Sequence, residues 1–449
     1  MRALLFAAFL LAAPASAQYG SNPGWLSSPI TAPADPGLLA RAYGGVALPS
    51  AESGGFLLNP ARVSLSDPGV SLSGPLARPD YFSYPDDDAG TISSASARAV
   101  FGHASWRFGA AVGGTSQHFG RSEEQLDSDG QVVQPGGASA NRSFVLAGSI
   151  GYVGRVSASV GLAARRTAQI DPVFSQNPTA WGADLGALVS ADVVEPNPGG
   201  GFSLLLGLGY AAQNLASDMQ GEIIGGNVNP DGMPIAPSTI EVRYPSDRYA
   251  RLGWSATLGY DGRFRNHTVR LVEAAFTFDA SHSVLRSDPD IGEDANLEAR
   301  GGMPVLLGRI RPLDALLGRG RSPAGEPFCS YDDEECGEVA YRPAVTGHRS
   351  LSIGLLETLD LSLGTHSDPA QGPDGHTAVA FGAGLSVAGL LRSRLLGEPS
   401  GALARLADLG DLHLQFARYA IYGENDNYAN DGDVDQPWTL GATLSVAWP

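Results

Sequence analysis

The chain has no lysine: its 29 basic residues are all arginine, set against 47 acidic ones for a formal net charge of -18. A chain this acidic lacks the basic footprint that phosphate-backbone binding needs, so nucleic acid is excluded as a partner. Charge of either sign is scarce, at 17% of 449 residues, which does not suit a coiled coil. The 43% hydrophobic content likewise does not suit a disordered chain. There are only two cysteines, Cys329 and Cys336, flanking the acidic stretch Ser330 to Glu335. In an oxidising compartment they read as a local disulfide ahead of free thiols, and without a histidine cluster beside them they make a weak metal site. Beyond residue 17 no uninterrupted apolar run reaches the ~18 to 20 residues of a membrane-spanning helix. Aromatic content is modest at 8%, whereas glycine is abundant, at 58 residues. That is about twice its average share of roughly 7%, and it points to strands and tight turns, away from a helical bundle.

The first residues address the compartment. Met1-Arg2, the apolar stretch Ala3 to Ala13 and the small-residue site Ala15-Ser16-Ala17 read as a removable secretory signal over 1–17, with Gln18 as the first mature residue. An exported, glycine-rich chain with no spanning helix is either a soluble extracytoplasmic protein or an outer-membrane β-barrel. Periodicity chooses between them.

The C-terminal run places Trp438, Leu440, Ala442, Leu444, Val446 and Trp448 on one face, with Thr439, Gly441, Thr443, Ser445 and Ala447 on the other. Side chains alternate along a strand, so the first set can meet lipid while the second meets a lumen. Ten residues separate the two tryptophans, about 33 Å along a strand and about 25 Å along the membrane normal once the strand tilts. That is the height of a barrel's apolar band with an aromatic girdle at each rim. Similar stripes run from Phe144 to Tyr152, from Trp181 to Val189, from Phe202 to Tyr210 and from Leu252 through Trp254 to Tyr260. The pattern predicts Trp181, Trp254, Tyr260, Trp438 and Trp448 at the membrane interfaces.

Strands are expected near 68–75, 92–102, 105–117, 142–152, 156–166, 180–193, 201–213, 248–260, 266–281, 347–356, 358–366, 376–388, 411–422 and 437–448. They make an all-β, antiparallel transmembrane barrel of about fourteen strands over 67–449, in contact with outer-membrane lipid. Short connections alternate with long ones, among them 76–91, 118–141, 167–179, 214–247 and the outer loop 282–346, as short periplasmic turns and long outer loops must. The alternation fails at 389–410, where leucines around Pro399-Ser400-Gly401 suggest a periplasmic helical insertion.

Residues 18–66 are too short for a domain and too apolar for a free tail, so they are expected to pack into the lumen as a plug. Gly44-Gly45 would allow a bend or close approach, and Asn59-Pro60, followed by Ala61, would fix an extended turn before the first strand. A plug can simply close the barrel or it can gate it. Arg107, Arg251, Glu273 and Asp279 fall on inward registers, where charge must be wet or paired, and read as lumen lining or plug anchors ahead of a substrate contact.

Catalysis and a bound metal or cofactor have little support. The eight histidines are scattered with no H-E-x-x-H spacing, no nucleophile elbow accompanies an α/β pattern, and Gly199 to Gly201 precede a strand where a phosphate cradle needs a helix. Acidic clusters at Asp86–Asp88, Asp288–Asp294, Asp332–Glu335 and Asp426–Asp435 offer oxygen ligands for calcium. None matches the twelve-residue loop, and they read as solvated outer loops.

Ala40-Arg41-Ala42-Tyr43-Gly44-Gly45-Val46-Ala47-Leu48, followed by Asn59-Pro60-Ala61, resembles the N-terminal signature of the PorV/PorQ family. The stretches His348 to Leu355, Leu361 to Gly364 and Val379 to Leu385, and the ending after Tyr419-Ala420-Ile421-Tyr422, are similar to that family's C-terminal portion. The resemblance implies a FadL-like fourteen-stranded barrel with its N-terminal segment inside. At the family level it implies a non-enzymatic binding or scaffold component of type IX protein secretion or cell-surface assembly, with secretion-machinery proteins or exported cargo as partners. The wider superfamily implies the alternative, a channel for uptake of hydrophobic small molecules. The inward registers, mostly Gly, Ser, Thr and Ala, favour the first.

Overall fold

A computed structural model describes residues 35–42, 44–49, 53–77, 80–81, 90–122, 125–126, 132–134, 137–170, 174–195, 200–215, 218–224, 239–245, 248–264, 267–284, 344–368, 376–393, 401, 409–422 and 438–448. The signal segment, Cys329 and Cys336, the four acidic clusters and most of the 282–346 loop lie outside these residues.

The barrel strands are β1 (Gly69–Ala77), β2 (Gly90–His103), β3 (Trp106–Ser122), β4 (Gly137–Tyr152), β5 (Val156–Ile170), β6 (Phe174–Val194) and β7 (Gly201–Leu215). They continue with β8 (Arg248–Phe264), β9 (His267–Val284), β10 (Ala344–Leu355), β11 (Leu359–Asp368), β12 (His376–Ser386), β13 (Gly410–Tyr422) and β14 (Trp438–Ala447). Each strand pairs antiparallel with its neighbours in sequence, for example Gly201↔Asp261 between β7 and β8. β14 then pairs antiparallel with β1 from Gly69↔Ala447 to Ala77↔Leu440, which closes the sheet. Closure satisfies every edge, which an open sheet in lipid cannot do.

The alternation of the sequence becomes the two faces of the wall. Along β4 and β5, Val145, Ala147, Ala163 and Arg165 are buried, while Phe144, Leu146, Val160 and Leu162 are exposed. Phe202 is 71% exposed, Leu162 63% and Trp181 62%, and their neighbours on the outer face are Leu, Val and aromatic side chains as well. Apolar area on this scale around a closed barrel requires lipid on its outside, and the protein is an outer-membrane barrel. Among the described residues no helix is long and apolar enough to cross a membrane. The crossing is made by strands.

Aromatic pairs gather at the short-turn end, where Phe101 stacks on Trp448 with centroids 5.7 Å apart and Trp106 meets Tyr152 edge-on at 5.7 Å. Phe202 and Tyr260 meet there too, at 4.8 Å. At the long-loop end Phe416 stacks on Trp438 at 6.3 Å, and the Arg166 guanidinium lies 5.8 Å from the Trp181 ring centroid.

Two connections differ from the sequence-based expectation. The segment 167–179 is mostly strand, since β5 runs to Ile170 and β6 begins at Phe174. Pro178 and the polar run Ser175 to Asn177 disguise it, because proline lacks the N–H a ladder uses, whereas this stretch lies beyond the apolar band where alternation is weak. Within 214–247 the strands Asp218–Ile224 and Thr239–Pro245 pair as a hairpin that extends the wall beyond β7 and β8. Between β12 and β13 the helix α2 (Val387–Arg392) directly continues β12, with Ser386 capping its start. It stands at the short-turn end, two residues earlier than the expected insertion.

Candidate functional site

Residues 35–66 cross the lumen, and nearly all of their described residues are buried. The segment opens with helix α1 (Pro36–Ala40), in which Pro36 sits in the first turn and the Asp35 carboxylate accepts from Gly37 N at 3.0 Å and Leu38 N at 3.2 Å. Ala42 (φ 47°) and Gly45 (φ 108°) turn the chain out of the helix. Short 3-10 helices follow at Ser53–Leu57 and Pro60–Leu65. Asn59 ties these pieces together: its Oδ1 accepts from Ala61 N at 3.0 Å and its Nδ2 donates to Val46 O at 3.0 Å and to Ala187 O on β6 at 3.2 Å.

The wall is cut to receive this plug. A Cβ at Gly161 would run into the backbone of Pro60 and Ala61, and one at Gly186 into the side chain of Asn59. Gly207 and Gly209 stand in the same relation to the carbonyls of Ala47 and Val46, Gly364 to the backbone of Arg41 and Gly382 to Ala40. The glycines occupy inward registers on five different strands because the plug lies directly against them, by its backbone at Gly161, Gly207, Gly209 and Gly364 and by the side chains of Asn59 and Ala40 at Gly186 and Gly382.

Polar side chains of the wall then take up the backbone groups of the plug, which forms no ladder of its own. Asp279 Oδ2 accepts from Gly45 N at 2.5 Å and Val46 N at 2.9 Å. His348 Nδ1 donates to Ala42 O at 2.8 Å, and Ser255 Oγ to Ala47 O at 2.8 Å. Gln213 Nε2 donates to Leu57 O at 2.5 Å, Ser159 Oγ to Ala61 O at 2.6 Å, and Arg98 Nη1 to Ser66 Oγ at 2.6 Å. The Leu57 carbonyl also accepts from Arg165 Nη2 at 3.4 Å, and Arg165 is itself fixed by a buried ion pair to Asp184, Nη2 to Oδ2 at 2.6 Å.

The plug carries charge into this seat. Burial lowers the Arg41 and Arg62 guanidiniums to about 10, so both remain cationic at neutral pH. The carboxylates of Asp35 and Asp279 offset Arg62, while Asp360 and Asp35 offset Arg41. Burial raises the Asp35 carboxyl above its ordinary range, opposed by the amides of Leu38 and Gly37 that it caps. Arg41 Nε donates to Ser352 Oγ of β10 at 3.0 Å.

Beneath α1, toward the short-turn end, lies a cavity of about 640 Å³ bounded by Pro36, Arg41, Leu48, Leu205, Glu273 and Asp360, among others. Its charges are paired in sets. Arg270 contacts Asp261 and donates to Glu273 at 2.7 Å, His413 stands 3.2 Å from Asp360, and Arg392 of α2 is 3.8 Å from Glu357. Asp411 accepts from Ser386 Oγ and Ala388 N, both at 2.8 Å, anchoring the start of α2 at the mouth. Among the described residues no group of three or more His, Cys, Asp or Glu side chains is arranged to hold a metal.

The structure brings Gly44, Gly45, Asn59, Pro60, Ala61, Arg251 and Asp279 into one neighbourhood around the plug. Glu273 lies lower, in the cavity wall. Arg107 shares the inward register but sits at the rim, where its Nη1 donates to Ala104 O at 2.8 Å and Trp106 O at 3.1 Å and so holds the β2–β3 turn. Tyr260, Trp438 and Trp448 stand exposed on the outer face near strand ends, and Trp181 stands exposed on the same face seven residues into β6. Trp254 lies on the same face, half-buried and stacked on Phe278 at 4.7 Å. Arg98, Arg165, Gln213, Ser255 and His348 escape a linear reading. Each is one polar residue on an inward register, and only the path of the plug shows which carbonyl or hydroxyl it meets.

No family model matches the chain, and no curated protein matches it. Among solved structures it is similar to the CymD monoaromatic hydrocarbon channel, at 10% identity over 92% of this chain and 97% of that chain, TM-score 0.42. It is similar to the Ralstonia pickettii toluene transporter TbuX, at 10% identity over 92% and 98%, TM-score 0.44. The Pseudomonas putida toluene transporter TodX gives 11% identity over 91% and 96%, TM-score 0.39.

Proposed function

We propose that this chain is a non-enzymatic, plug-gated conduit of the outer membrane for small molecules with a substantial apolar part. The observation that supports the reading is the way the lumen is filled. The plug is an irregular segment held by separate hydrogen bonds to wall side chains, above a cavity of about 640 Å³. That volume is in the range of small-molecule sites, about 300–1,000 Å³. A filled lumen does not serve free diffusion of water-soluble solutes, whereas a seat made of separable polar contacts can be vacated. The cavity joins apolar Leu48, Pro49 and Leu205 to charged Arg270 and Glu273, a lining suited to a solute with an apolar body and a polar end. The inward glycines and serines, which by sequence argue against an apolar pocket, are accounted for as the seat of the plug.

The test is uptake of a labelled long-chain fatty acid and of a labelled sugar by cells that carry the barrel as their sole outer-membrane transporter. Fatty-acid uptake well above background with no gain for the sugar is expected; no gain for either refutes the conduit. The secretion-scaffold reading has one observation in its favour: the cavity lining carries charged pairs, Arg270 with Glu273 and His413 with Asp360, beside its apolar residues. Co-isolation of secretion-machinery subunits with the tagged barrel, with uptake at background, would select it.

A further inference from the structure

The lipid-facing surface carries one feature that a plugged conduit does not need. Arg142 on β4 and Arg166 on β5 both project outward and are exposed, and the outward positions next to them in the same strands are Phe144, Leu146, Leu162 and Ala164. The register pairs Phe144 with Arg166 and Arg142 with Ala168, so the two arginines are diagonal neighbours. Such neighbours have Cβ atoms about 7–8 Å apart, within joint reach of one tetrahedral anion. Arg166 is also paired across to Trp181 of β6, over whose ring its guanidinium lies. Among the described residues neither arginine has an ion-pair partner. The partner of the adjacent Arg165, by contrast, is Asp184 on the inside.

The height of the pair and the surface below it identify the occupant. Both arginines lie toward the long-loop end of their strands, the outer-leaflet side. Directly below Arg166 the register sets Ala164 against Ala183, between Leu146 and Leu162 with Leu185. That leaves a shallow apolar strip under two guanidiniums. We propose that this face binds the phosphorylated glycolipid of the outer leaflet, with Arg142 and Arg166 on a headgroup phosphate, Trp181 against the sugar and acyl chains along the alanine strip. Guanidinium is suited to this because its planar donor fork matches phosphate oxygens, and the low dielectric of the interface strengthens the contact. Arg418 of β13 supplies an internal comparison. It is likewise exposed and paired with a tryptophan, Trp438, but its described diagonal neighbours are Leu440 on β14 and Val379 and Ala383 on β12, none of them an arginine.

The experiment uses the full-length barrel in phosphatidylcholine vesicles doped with bisphosphorylated lipid A, with the same lipid A stripped of phosphate, or with phosphatidylglycerol. Retained lipid is counted by native mass spectrometry after extraction. Retention of bisphosphorylated lipid A over the other two is expected, with a loss of roughly tenfold for each arginine contact removed in R142Q/R166Q and little loss in R418Q. Equal retention of the dephosphorylated lipid would overturn the proposal, as would equal retention of phosphatidylglycerol, which would mean non-specific attraction of anionic lipid. The wild-type comparison needs no variant. R142Q/R166Q is scored only as protein that still migrates as a heat-modifiable barrel, and wild-type retention by that protein also overturns the assignment.

Discussion

Asp279→Ala isolates the wall side chain that holds two backbone amides of the plug at once. The carboxylate is 0% exposed and one of its oxygens takes the amides of both Gly45 and Val46. Removing it leaves two buried N–H groups without an acceptor, and each such orphan costs about 1–3 kcal/mol. The seated plug should therefore lose about 2–6 kcal/mol relative to the displaced one, at least a 30-fold rise in displacement at the lower bound. Loss of the carboxylate also removes a compensating charge from Arg62, which adds to the effect in the same direction. Hydrogen exchange of a peptide covering 41–49, followed by mass spectrometry, reads this directly. Exchange at Gly45 and Val46 should accelerate by that factor while the β8 and β9 amides keep their protection. Unchanged exchange over 41–49 in a barrel that remains heat-modifiable would refute the reasoning, because the plug would then be held by something other than these bonds.

Gly161→Leu puts a side chain where the Pro60 backbone lies, at a cost of about 1–3 kcal/mol or more; limited proteolysis should cut the plug in an otherwise intact barrel. Arg165→Met alone takes the cationic partner from the buried Asp184 carboxylate and should destabilise by about 3–5 kcal/mol, whereas Arg165→Met with Asp184→Leu should recover most of it. Urea unfolding of the three proteins in detergent checks the order, and a double variant weaker than the single would count against the pairing argument. Leu162→Arg, on the lipid face at 63% exposure and at the middle of β5, should lower the stability of the reconstituted barrel by about 2–4 kcal/mol. The measurement is unfolding from bilayers, and a neutral result would mean that this face does not meet lipid.

The barrel was legible because its information is local and repeated. Stripes such as Leu252 to Tyr260 state their own period, and a sequence of turns alternating with long loops leaves one way to arrange antiparallel neighbours. Legibility declined where the local signal weakened, as in 167–179, where Pro178 and polar residues read as a loop although the ladder continues to Ile170 and resumes at Phe174. Asp279 and Arg251 stood out as charges on inward registers, and Gly44-Gly45 with Asn59-Pro60 as a chain that had to turn. His348, one of eight scattered histidines, carried no such sign.

What the sequence determined by itself was the period-two wall, its apolar outer face and the need for something inside it, since these follow from alternation and solvent within each strand. What only the tertiary structure decided was the fit between plug and wall. A glycine at 161, 186, 207 or 364 has no meaning in its own strand, because the backbone it admits comes from a segment a hundred or more residues away. The acceptor for Gly45 and Val46 is likewise 233 or 234 residues distant along the chain. Contacts of that range are set by closure of the barrel, which brings all fourteen strands around one short stretch of chain.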